Sequence, residues 1–218
     1  MEVRASSRDR RTRRKAQTAG GILDAAERLF LTRGFEGTTI EQLAGQADVA
    51  VGSIYGHFGG KEGVYAALVG RALELDARYC DKGWASGTDP VGRLVGIGEG
   101  YLRFARDHPG HFRLFRFPPA GGPTGGAAAT AAAQVASRVS CEVDRMAGAL
   151  REAIGEGTVR AVDPDRAAVF LWAAWDGVIA AHVLPGNMGL SEREFEEVLA
   201  LGREVLALGL LAPAGAVT

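Results

Sequence analysis

Apolar positions recur every three or four residues along most of the chain, the spacing that lays a stripe down one side of a helix. Ile22, Ala26, Leu29 and Phe30 form the first such stripe, and Gly34 ends it. In "TTIEQLAGQADV" Thr38 is followed three residues later by Glu41, a capping box that opens a second helix. Ile40, Leu43, Ala44 and Ala47 give that helix its apolar face, and Asp48 turns the chain. A third helix is expected over 51–58, broken by the glycines of "GGKEGVY", and a fourth over about 61–81.

The pattern continues as helix to the end. "WASGTDP" (84–90) is a loop whose Pro90 opens the next helix, with Leu94, Ile97, Tyr101, Leu102 and Phe104 directed inward. "DHPG" (107–110) breaks the chain, and "HFRLFRF" is a short aromatic helix stopped by Pro118 and Pro119. "AGGPTGG" (120–126) reads as a flexible connector, followed by an Ala-rich helix to about Ile154. Asp163-Pro164 starts a helix to Leu184, and the capping box Ser191/Glu194 starts a last one to about Leu211. No segment reads as a strand and no repeat is visible. The expected fold is all-α with about nine helices.

Composition narrows the class. A chain of 218 residues with 47% hydrophobic residues can bury a substantial core. Two cysteines far apart, Cys80 and Cys141, argue against a disulfide framework or a zinc site, so a reducing cytoplasm is the simplest setting. The apolar run 167–184 is interrupted by Asp176 and His182 and is largely alanine, which favours a buried helix over a membrane span. Seven of the first fifteen residues are basic and two are acidic, whereas the chain as a whole carries a net charge of −1. A basic end on an acidic body suits a polyanion, although a solvated tail has the same composition. An arginine-rich stretch at 4–15 could also form a minor-groove arm.

Two short helices joined by a tight turn after a longer one make a helix-turn-helix, whose second helix enters the DNA major groove. "AVGSIYGHF" fits that use. Gly52, Ser53 and Gly56 keep one side small enough for close approach, while Ile54 and Phe58 anchor the other. Tyr55 and His57 supply polar tips that reach phosphate oxygens, and Lys61 opens the next helix where an anion is favoured.

Residues 22–65, "ILDAAERLFLTRGFEGTTIEQLAGQADVAVGSIYGHFGGKEGVY", resemble the DNA-binding domain of TetR-family transcriptional regulators. A helix ending in Leu-Phe, then Gly-Phe, Thr-Thr, a small-residue turn, a Tyr-x-x-Phe segment and Lys-Glu follow in the family's order. The resemblance implies an all-helical homodimer with a ligand-binding C-terminal domain. It implies phosphate contacts from Thr39, Tyr55, His57 and Lys61, and base contacts from Val51, Ser53 and Gly56. Two positions depart from the family's habit. Ala50 stands where a Ser or Thr caps the recognition helix, and Gly56 stands where a larger side chain is common.

"HPGHFRLF" and "WAAWDG" resemble C-terminal segments of a TetR subgroup with a Trp-His-Gly-like motif, with Asp176 in place of the His. Tyr101, Phe104, Phe112, Phe115 and Phe117 form either a plain aromatic core or a pocket wall. Trp172 and Trp175 read as packing residues. Asp176 either orients a ligand, with the tryptophans as walls, or pairs with Arg103, Arg106 or Arg145, or lies exposed near a helix end. The candidate pocket is thus Tyr101, Phe104, Phe115, Trp172 and Asp176. His108 and His111 have metal-ligand spacing without a third ligand, so no metal or cofactor is expected. Leu199, Gly202 and Leu206 are expected near a two-fold axis formed by the last two helices.

The expected organisation is a disordered basic tail (1–15), a helix-turn-helix domain (16–62), a ligand-binding and dimerisation domain (63–212) and a flexible end (213–218). The function implied is a homodimeric, cytoplasmic regulator that binds a pseudo-palindromic DNA operator and is released by a small-molecule effector. A ligand-independent architectural DNA-binder is the alternative. An enzyme is not expected, because no nucleophile–base pair or metal cluster is present.

Overall fold

The computed structural model describes residues 7–116, 125–183 and 189–212. Phe117, Pro118, Pro119, most of the expected connector, Leu184, the first six residues and the expected flexible end lie outside the described residues. Among the described residues the secondary structure is nine α-helices: α1 Ser7–Arg33, α2 Ile40–Gln46, α3 Val51–Phe58, α4 Lys61–Ser86, α5 Pro90–Asp107, α6 Pro109–Arg116, α7 Gly125–Gly155, α8 Pro164–Val183 and α9 Glu192–Leu210. An isolated bridge pairs Val159 with Leu211.

Local chemistry accounts for the boundaries. Pro90 sits in the first turn of α5, where Asp89 caps the amide of Gly92 at 2.8 Å. Asp163 accepts from the amides of Asp165 and Arg166 at the start of α8. Ser191 and Glu194 form the reciprocal capping box of α9. The start of α1 differs from the expected disordered tail: residues from Ser7 onward are helical. The run between Ser7 and Gly20 contains no breaker, is rich in good helix formers and has Asp9 in its first turn. Gly20 and Gly21 lie inside this helix without stopping it.

The chain divides into two compact units, one of residues up to Ala72 with Leu114–Gln134, the other of Leu73–Arg113 with Val135 onward. The division falls inside α4, ten residues later than the boundary expected at residue 62. The reason is burial: Val64, Tyr65, Leu68 and Val69 of α4 are all enclosed. In the first unit Phe30, Phe35 and Tyr65 pack with ring centroids 5.5–6.1 Å apart, and the Tyr65 hydroxyl donates to the Leu114 carbonyl at 2.7 Å.

In the second unit Ile97, Met146, Ala147, Leu150, Ala153, Val159 and Ala168 form a core cluster, with Trp84, Leu94 and Trp172 packed against it. Helices α4 and α5 meet backbone to backbone. A Cβ on Gly83 would lie 1.9 Å from the Gly96 carbonyl oxygen, and one on Gly96 would lie 2.1 Å from that of Gly83. Only glycine admits this approach.

Candidate nucleic-acid interface

Helix α2 begins one residue later than the sequence suggests. Thr39, not Thr38, is the N-cap, and its reciprocal partner is Gln42, not Glu41. Thr38 is fully buried and its hydroxyl donates to the Gly34 carbonyl at 2.8 Å, which removes it from the capping position. Thr39 is left exposed at the helix start, with its hydroxyl hydrogen available to an anion. Asp48 takes the left-handed conformation, φ 53°, that closes the turn into α3.

Helix α3 has a bare N-terminus: Ala50 is extended and makes no side-chain cap. Ile54 is fully buried and fixes the helix to its unit. The opposite side carries Gly52, Tyr55 and Gly56, three and four residues apart and all exposed. A Cβ on Gly52 or Gly56 would meet nothing, so the backbone lies open to a partner. Of the expected base-facing residues Gly56 is outward, while Val51 and Ser53 are half-buried. Tyr55 is 57% exposed, and His57 is half-buried with its ring 6.0 Å from that of Phe58.

The end of α3 is set by glycine. Gly59 is its left-handed cap, φ 77°, and a Cβ on Gly63 would lie 1.7 Å from the Phe58 carbonyl oxygen. Lys61, expected at a phosphate, turns its ammonium toward the protein. It donates to the carbonyls of Phe35 at 3.1 Å and Thr38 at 3.0 Å and stands 4.2 Å above the Phe35 ring. On α1, Arg10, Arg11, Arg13, Arg14 and Lys15 are exposed. A helix is about 10 Å wide and the minor groove about 6 Å, so this segment does not thread the groove as an extended arm.

The candidate pocket residues are divided between the two units. Phe115 belongs to the first unit, whereas Tyr101, Phe104, Trp172 and Asp176 belong to the second. Asp176 is buried and accepts the Tyr101 hydroxyl at 2.7 Å. Two of the arginines considered for it have other carboxylates. Arg106 bridges Glu192 and Glu196, and Arg145 reaches Asp81 and Glu142. Trp175 donates to the Gly98 carbonyl at 2.6 Å. His108 and His111 stack edge-on at 5.6 Å, with the Tyr79 hydroxyl 3.1 Å from His108.

A buried ionic cluster escaped the sequence reading. Arg138 pairs with Asp76 at 3.0 Å and with Glu142, and both acidic residues are buried. Burial raises the Asp76 pKa to about 6, against the opposing pull of Arg138. Burial also pushes the Cys80 thiol up, with its sulfur 3.6 Å from Asp76. The available signal was the Arg138/Glu142 spacing of four within an alanine-rich helix.

The sequence model for bacterial regulatory proteins of the tetR family matches residues 22–68, and that for the tetracyclin repressor-like C-terminal domain matches residues 94–204. The chain belongs to the TetR family. The chain is 42% identical over 64 positions to the HTH-type transcriptional repressor BepR of Brucella suis, covering 29% of this chain and 31% of BepR. It is 37% identical over 79 positions to the repressor KstR2 of Mycobacterium tuberculosis, covering 36% of this chain and 39% of KstR2. The chain thus matches about a third of the length of these curated relatives.

Solved structures share the fold throughout. A transcriptional regulator from Saccharomonospora viridis in complex with choline superposes with TM-score 0.71 at 18% identity, over 91% of this chain and all of that one. AibR in complex with isovaleryl coenzyme A and operator DNA gives 0.60 at 21%, over 84% and 97%.

For a TetR-family chain the last two helices carry one correction. Leu199, expected beside a two-fold axis, is 1% exposed and enclosed by its own chain. It shares its side of α9 with buried Phe195 and half-buried Gly202 and Leu206. The free apolar stripe of α9 is instead Leu201, Val205 and Leu208, and that of α8 is Val169 and Phe170. No described helix is long and apolar enough to cross a membrane.

Proposed function

We propose that the chain is a homodimeric operator-binding repressor, released when a small organic effector occupies its second unit. The observation that carries the DNA-reading part is the exposed Gly52–Tyr55–Gly56 side of α3, backed by the buried Ile54. Thr39, Tyr55 and His57 hold phosphates, and Gly56, with the half-exposed Val51 and Ser53, meets base edges. Small side chains there leave part of the specificity to DNA shape.

The dimer uses the free stripes of α8 and α9, since five large apolar side chains between 55% and 71% exposed need covering. KstR2 and BepR are repressors by name, and the similar folds above hold choline or an acyl coenzyme A. A small organic effector in the second unit agrees with both and with its enclosed polar groups, Asp176 and Tyr101 among them. Such an effector shifts the dimer to a spacing that no longer fits successive major grooves.

The test is selection of duplexes from a random library by the full chain, followed by footprinting. The expected product is a pseudo-palindrome with half-sites separated by about 34–36 Å or its multiples. Enrichment of no duplex, or of single half-sites bound by a monomer, overturns the proposal.

A further inference from the structure

We infer that Lys61 is a positioning residue of the DNA-reading motif. Its ammonium closes the motif at the end opposite the α2–α3 turn and thereby sets how α3 is presented. This rests on the operator-binding reading above and assigns Lys61 a role other than gripping phosphate.

The motif has two ends. At one, the residues between Gln46 and Val51 join α2 to α3. At the other, α2 starts just after Thr38 and α3 ends just before Gly59, with no covalent link between them. Lys61 lies three residues past that end of α3, and its Nζ donates to the carbonyls of Phe35 and Thr38, just ahead of α2. It therefore ties the exit of α3 to the entrance of α2. Gly59 and Gly60, both at positive φ, have no side chain to tie the exit of α3 to α2, and Lys61 is the first residue after them that has one.

The electrostatics agree. A cation at the first residue of a helix faces the positive end of the dipole, an unfavourable place. Two carbonyl oxygens and the face of Phe35 supply the compensating negative potential. An ammonium has three donors, and two are committed inside the protein. The Phe35 ring is itself 4% exposed and packs on Phe30 and Tyr65, so the anchor is rigid.

The experiment compares the full-length wild type with Lys61→Met, which keeps the apolar stem and removes the ammonium. Two duplexes are used, the one selected by the wild type and an unrelated one of equal length. Lys61→Met is expected to weaken the selected duplex about tenfold, the scale of a lost charged hydrogen bond, and to leave the unrelated one unchanged. The slope of log affinity against log salt stays the same. Equal weakening of both duplexes with a slope reduced by about one per protomer means a phosphate contact and overturns the inference. Equal weakening with unchanged slope and a lower melting point means a merely structural role and overturns it too, as does no change at all.

A second measurement needs no variant. The Lys61 ammonium protons, followed by NMR in the DNA-free wild type, should exchange slowly and keep their shift when the selected duplex binds. Fast exchange in the free protein, or a shift on binding, overturns the inference. If the wild type selects no duplex, the operator-binding reading fails, and the free-protein exchange rate still decides whether the clamp exists.

Discussion

In the first unit three polar side chains end on its own backbone, while in the second the buried carboxylates pair with other side chains. Thr38, Tyr65 and Lys61 end on the carbonyls of Gly34, Leu114, Phe35 and Thr38. Asp76, Arg138 and Glu142 instead pair among themselves, and Asp176 takes the Tyr101 hydroxyl. Carbonyl acceptors do not titrate and move only with the main chain, so the first arrangement fixes a shape. Ionic and carboxylate partners can be re-paired or protonated, so the second can answer to what binds it. A reader of a regular polymer needs the former, and a body that responds to a small molecule suits the latter.

The strongest test of a shape fixed by backbone is Gly63→Ala. A methyl 1.7 Å from the Phe58 carbonyl oxygen cannot be accommodated by a side-chain turn. The joint between α3 and α4 must open, at a cost of about 3 kcal/mol or more. Denaturant titration should show that loss together with loss of DNA binding. Unaltered stability would mean that the backbone there yields freely and that the first unit is not the rigid one.

Arg138→Met probes the opposite interior. It leaves Asp76 and Glu142, both less than 5% exposed, without the guanidinium that lies between them. Breaking a buried pair in this way costs about 3–5 kcal/mol. The loss should be smaller at low pH, where the carboxylates take up protons, and thermal unfolding at two pH values measures both. An equal loss at both would place the effect in packing, not in charge.

Asp76 gives a finer reading of the same cluster. Burial raises its pKa from 3.8 to about 6, so between those values the folded chain holds a proton that the unfolded chain has released. Its contribution is therefore present below about pH 4 and is lost as pH rises through about 6. Asp76→Asn holds the site neutral and removes this dependence. The stability of wild type relative to the variant should fall by about 2–3 kcal/mol from pH 4 to pH 7. Parallel stability curves would show that Asp76 does not titrate in that window.

The two units also differ in how far they could be read in advance. The helix-turn-helix was legible because its signals are local: a threonine before a polar run, a turn, small residues on α3, glycines after it. What it did not show depends on packing that no local pattern carries. The sequence offers two adjacent threonines, and only burial of Thr38 decides that Thr39 caps α2. The backbone partners of Lys61 are not visible locally either, since Phe35 and Thr38 lie 26 and 23 residues away. In the second unit the decisive contacts are distant throughout. Asp76 meets Arg138 across 62 residues, Tyr101 meets Asp176 across 75, and no local pattern announces either. The inward and outward sides of α9 were confused for a related reason. Leu199 and Leu201 are equally apolar, and only the packing of α8 on α9 separates them.

The smallest expected effect returns to the first unit, at a helix start that has no side-chain cap. Ala50 is exposed, has the extended conformation of an N-cap, φ −67° and ψ 146°, and offers the first turn of α3 its carbonyl but no side-chain acceptor. Serine at this place needs no change of backbone, and its hydroxyl can accept from the amide two or three residues on. Ala50→Ser should therefore add about 0.5–2 kcal/mol to stability. Because α3 has only eight residues, fraying at its first turn affects a large part of it. The gain should appear as slower amide exchange at Gly52 and Ser53 as well as in the denaturation midpoint. If stability rises while specific DNA affinity also rises, α3 is a fixed surface that binds better the more it is ordered. If stability rises and affinity falls, the first turn of α3 must adjust on DNA, and the contrast between a rigid reader and a responsive body fails at that point.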